Sequence, residues 1–162
     1  MRIVVGREMW SPDEKPNLTW SHPWASSPAF LVMWYLFGVR PTGPGWSTMA
    51  VTPAVGDLES GRMTMPTVRG PVEANFTQEL SKSFALDVRV PAGVRFQVNL
   101  PLPILVEAGD ARVMAVAARG EGGVVVARQT TQAERGYAAL GEFRGDGGRW
   151  VFSVAVAGAG VE

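Results

Sequence analysis

No cysteine occurs in the 162 residues, which removes a disulfide framework, a thiolate zinc site and a cysteine nucleophile together, and leaves the redox compartment open. A single histidine, His22, leaves only carboxylates as further metal ligands, so neither a metal nor a cofactor is expected. Charge of one sign is also missing: fifteen basic and fifteen acidic residues cancel. No long-range field is present to recruit nucleic acid or an anionic membrane surface, and neither is expected as a partner. Long apolar runs are absent too. The longest, Ala29 to Phe37, is about half of the roughly 20 residues that cross a bilayer. The opening "MRIVVGREMW" has too short an apolar stretch before Gly6 for a secretory signal, which points to a cytoplasmic location.

Two regions with different periods remain. Between Pro28 and Gly38, "AFLVMWYLF" shows no polar face at any helical spacing, so a helix there is expected to be covered on all sides. Ser27 and Pro28 suit its start, Gly38 its end, and Pro41 prevents its resumption. From Trp46 onward the pattern becomes apolar and polar alternation broken by glycine and proline. "SFALDVRV" (Ser83 to Val90) and "VRFQVNL" (Val94 to Leu100) alternate most regularly, and the intervening "PAG" predicts an antiparallel hairpin. "RWVFSVAV" near the end alternates likewise after the turn "RGDGG". Weaker strands are expected at Thr48 to Thr52, Arg62 to Met65, Val72 to Thr77, Arg112 to Ala117, Gly123 to Ala127 and Ala138 to Phe143. The predicted fold is mainly β: an antiparallel β-sandwich of about eight or nine strands preceded by one buried helix.

Five of the six tryptophans, Trp10, Trp20, Trp24, Trp34 and Trp46, precede that body. About 45 residues with one helix cannot bury so much aromatic surface, and large apolar patches mark interfaces. A partner surface is therefore expected. The remaining tempting features have ordinary explanations. Asp13 and Glu14 lie in the polar turn "SPDEKP". "RGEGG" and "RGDGG" do not follow a strand and open a helix, as a phosphate-cradling loop must. "NFT" at Asn75 to Thr77 is a short match to the N-glycosylation pattern without a secretory signal.

"SHPWASSPA", "GVRPTGPGW" and "PAVGDLESGRMTMPTVRGPV" resemble the end of bacterial α-L-rhamnosidases, with the likeness running from about Glu8 to Leu100. The resemblance implies that residues 1–45 are the terminal segment and last helix of a catalytic (α/α)6 barrel, and that 46–162 form the C-terminal β-sandwich. It also implies an inverting glycosidase acting on terminal α-L-rhamnose. Such an enzyme needs one carboxyl group to protonate the leaving oxygen and another, about 6.5 to 9.5 Å away, to activate a water. "REMW" is similar to the family's base motif "T-x-x-E-x-W" at Glu8 and Trp10, although "VVGRE" stands where threonines are expected. The resemblance thus makes Glu8 the candidate general base and places His22 beside the sugar, hydrogen-bonding a hydroxyl or orienting the base. Trp10, Trp20 and Trp24 would wall the subsite, because sugars present C–H faces to aromatic rings.

In the family the general acid comes from an earlier part of the barrel, and no residue here takes that role. The expectation is a piece of a rhamnosidase, inactive alone, whose partners are a rhamnose-containing glycoside and the remainder of the barrel. Two alternatives are a non-catalytic carbohydrate-binding or scaffold sandwich docking on another protein, and a purely structural domain that shields the barrel.

Overall fold

A computed structural model of the chain describes residues 22–102, 113–119, 125–128 and 136–156. A 3-10 turn over Pro23–Ser26 leads into helix α1 (Ser27–Leu31), which widens into a π-helical turn over Val32–Leu36. Pro28 lies in the first turn as expected, but the hydroxyl of Ser26, the residue before the helix, turns back to the carbonyl of Pro23 and caps nothing. The π turn closes where the Phe37 amide donates to the Val32 carbonyl over 3.0 Å.

Among the described residues ten strands follow: β1 (Val39–Pro41), β2 (Thr48–Val51), β3 (Ser60–Met65), β4 (Val72–Glu79), β5 (Ser83–Arg89), β6 (Arg95–Pro101), β7 (Val113–Arg119), β8 (Val125–Arg128), β9 (Tyr137–Arg144) and β10 (Arg149–Val156). They form a four-stranded sheet ordered β1-β2-β6-β9 and a six-stranded sheet ordered β3-β4-β5-β10-β7-β8. This is the expected β-sandwich. Period-two alternation drives it: Phe84, Leu86 and Val88 of β5 are buried from one sheet, and Phe96, Val98 and Leu100 of β6 from the other. All buried side chains among the described residues are apolar. At one edge of this core Phe96, Phe143, Trp150 and Phe152 pack ring against ring, with centroids 5.1 to 6.2 Å apart.

One expectation fails here. β5 and β6 are not a hairpin, because they belong to different sheets: β5 pairs with β4 and β10, and β6 with β2 and β9. Alternation states which side chains face the core but not which sheet supplies them. Two strands whose apolar faces are both fully buried are satisfied equally by facing each other across the core. Val90 and Val94, buried at either end of "PAG", show that this connection arches over the end of the core. "RGDGG" makes a second arch, from β9 to β10, and the two lock together: the Gly93 amide donates to the Gly145 carbonyl (2.9 Å) and the Gly145 amide to the Val94 carbonyl (2.7 Å). A methyl group on Gly145 would lie 2.5 Å from the Pro91 carbonyl oxygen, so only glycine permits this approach. The sandwich also departs from purely antiparallel pairing, since β2 and β6 run parallel. That pairing closes a long excursion through the other sheet and needs no tight turn.

Strand directions assign each loop to an end. β1 starts, β2 finishes, β3 starts and β4 finishes at one end, where α1 enters. The turns at Pro44–Trp46 and Thr67–Gly70 and both arches lie at the other. There the Arg69 Nε donates to the Gly45 carbonyl over 2.8 Å, and the Arg89 Nε to the Gly147 carbonyl over 2.9 Å.

Candidate functional site

At the entry end the chain leaves its helix through Phe37, whose ring enters the core 5.5 Å from that of Phe76. Gly61 makes room for this contact, because a methyl group there would come within 2.4 Å of the Phe76 ring. The helix is tied to the sandwich by backbone as well. The Ala54 amide donates to the carbonyls of Tyr35 (3.2 Å) and Leu36 (3.0 Å), and the Thr52 amide to that of Gly38 (3.1 Å). These bonds occupy carbonyls that a helix end otherwise leaves free. Met33 and Leu36 pack on the core, whereas Phe30, Leu31, Val32, Trp34 and Tyr35 remain exposed, from 38% for Trp34 to 54% for Tyr35. The expectation of a helix covered on all sides is therefore not met by the described chain. Nine consecutive apolar residues cannot all face a core that offers only one side. Phe30 and Trp34, one turn apart, touch edge to face with centroids 5.9 Å apart, so part of the exposed surface is already ordered.

Of the residues expected at a sugar site, Glu8, Trp10 and Trp20 lie outside the described residues, as do Asp13 and Glu14. His22 is half-buried directly ahead of the Pro23–Ser26 turn. Trp24 falls in that turn, but its side chain is outside the description. Leu58 and Leu80, 45% and 42% exposed at the same end as the helix, escaped the sequence reading, since each is a lone leucine in a polar stretch with no period to flag it.

Among the described residues the sandwich carries little electrostatic machinery. Its ion pairs, Arg89 with Glu73 (4.0 Å), Arg95 with Glu142 (3.6 Å), Arg149 with Asp87 (2.9 Å) and Lys82 with Glu79, lie on exposed faces, where each contributes at most about 1 kcal/mol. Among the described residues no group of three His, Asp or Glu side chains could hold a metal ion, and no helix is long and apolar enough to cross a membrane.

A family model described as the bacterial alpha-L-rhamnosidase C-terminal domain matches residues 38–114, from the helix exit into β7. Over that span the chain is similar to the C-terminal domain of bacterial α-L-rhamnosidases. No curated protein matches the chain. Among solved structures, the α-L-rhamnosidase of Streptomyces avermitilis, in complex with L-rhamnose, aligns over 89% of this chain at 22% identity with a TM-score of 0.59. That of Dictyoglumus thermophilum aligns over 81% at 22% identity with a TM-score of 0.56. At this identity the likeness establishes the shared fold. The alignments cover only 12% and 13% of those two rhamnosidases, so the chain spans a small part of their length.

Proposed function

We propose that the chain is the C-terminal part of an inverting α-L-rhamnosidase, with α1 as the last helix of the catalytic barrel and the sandwich as the platform that holds it. The observation that carries this reading is the exposed apolar helix. With successive side chains about 100° apart, Phe30, Leu31, Val32, Trp34 and Tyr35 span more than half of its circumference. A surface helix needs cover on an apolar stripe only slightly wider than 100°. One neighbour would therefore leave part of this arc wet, and helices on both flanks are what the pattern demands. An α/α barrel supplies such flanks.

On this reading Glu8 is the general base, with His22 hydrogen-bonding the sugar or orienting the base, and Trp10, Trp20 and Trp24 walling the subsite. The general acid and the remaining walls belong to the rest of the barrel. A single carboxylate cannot invert an anomeric centre, since both protonation of the leaving oxygen and activation of water are required. The purified chain should give no release of 4-nitrophenol from 4-nitrophenyl α-L-rhamnoside above the uncatalysed rate. Robust turnover by the chain alone would refute the proposal. Binding of rhamnosylated glycans without turnover in any assembly would instead favour a carbohydrate-binding module.

A further inference from the structure

We infer that the surface covered by the rest of the enzyme extends beyond the helix onto the sandwich, with Leu58 and Leu80 as its anchors and Asp57 and Glu59 as an acidic border; the inference rests on the proposed rhamnosidase reading. Three observations support it. The first is placement: α1, the segment from Thr52 to Glu59, and the β4–β5 turn all lie at one end of the sandwich, and among the described residues seven of the nine large exposed apolar side chains gather there. The other two, Val68 (80% exposed) and Val151, lie at the opposite end and on a sheet face. The second is order. Gln78 Nε2 donates to the carbonyls of Gly56 (2.8 Å) and Leu58 (2.7 Å), its backbone amide donates to Glu59 (2.7 Å), and the Leu58 amide donates to the Val55 carbonyl (3.2 Å). The segment that presents Leu58 is thus fastened to the strand that leads to Leu80, while Ala54 fastens its other end to the helix. Pre-ordered leucines lose little freedom on docking.

The third observation is charge. Asp57, Glu59 and Glu79 border the two leucines and all are exposed, with Lys82 paired to Glu79. This is the layout of an apolar centre with a polar rim. The occupant is the preceding polypeptide of the enzyme, meeting this face with an apolar patch flanked by lysine or arginine. The length missing relative to the matched rhamnosidases, of which the chain covers 12% and 13%, supplies it.

The test is co-expression of the tagged 162-residue chain with the polypeptide encoded directly upstream of Met1, reading the ratio recovered together. The double variant Leu58→Arg/Leu80→Arg should lower that ratio at least tenfold, and Val68→Arg should leave it unchanged, with circular dichroism confirming that both variants keep the sheet signal. Recovery that survives Leu58→Arg/Leu80→Arg, or falls equally with Val68→Arg, overturns this inference and leaves the rhamnosidase reading standing. No recovery with the unaltered chain overturns both.

Discussion

Gly38→Ala is expected to destabilise the chain by at least about 3 kcal/mol, a large share of the roughly 5 to 15 kcal/mol by which domains are stable. Two independent costs combine there. Gly38 has φ +67°, in the left-handed region that costs a residue with a Cβ about 1 to 2 kcal/mol. Its Cβ would also lie 1.9 Å from the carbonyl oxygen of Thr52 and 2.6 Å from the Pro53 nitrogen. Those atoms are backbone and cannot rotate away. Gly56→Ala is the matched control: Gly56 has φ +60° but nothing within 4 Å of an added methyl group, so only the first cost applies. Urea unfolding of the two variants measures the difference. Equal losses would mean that the crossing of the helix exit over the end of β2 is looser than described. The stakes are functional as well as structural, because this crossing sets the angle at which the helix leaves the sandwich.

If the chain completes a rhamnosidase as proposed, with Glu8 as its general base, Glu8→Gln in the assembled enzyme is expected to lower kcat by about 100- to 10,000-fold with little change in KM, the range lost when a general base is removed. Glutamine keeps the shape and can still hydrogen-bond a water, but it cannot accept that water's proton. Binding of the sugar, which depends on walls and hydroxyl partners, should persist. Steady-state kinetics on an aryl α-L-rhamnoside separates the two parameters. A rise in KM with unchanged kcat would make Glu8 a sugar-binding residue and move the base elsewhere. Glu14→Gln, in the polar turn "SPDEKP", should leave both parameters unchanged.

The sandwich was legible because its signal is local. Every strand from β2 to β10 has an apolar and polar alternation, or a β-branched run between turn residues, that can be read without knowing its neighbours. β1 escaped because three residues, Val39 to Pro41, hold less than two periods and end in a proline that reads as a loop. Pairing was the part that could not be read. "PAG" between two alternating strands serves a hairpin and an arch equally well, and the choice is made by Gly145, which lies more than fifty residues away in sequence and accepts the close approach of Pro91. The helix was legible in existence and limits but not in its surroundings. Its residues state that they require cover, whereas the source of that cover is not encoded in them. Leu58 and Leu80 show the same limit from the other side, since a lone exposed leucine acquires meaning only when folding brings it to the same end as the helix.

The central claim, that the apolar helix is an interface standing open in this chain, is tested most directly by titrating 1-anilinonaphthalene-8-sulfonate into the purified 162-residue protein while sedimentation follows its association. The account predicts dye binding and concentration-dependent self-association, both abolished by Phe30→Ser/Trp34→Ser/Tyr35→Ser with the β-sheet circular dichroism unchanged. A chain that sediments as a monomer at all concentrations and leaves the dye dark would contradict it.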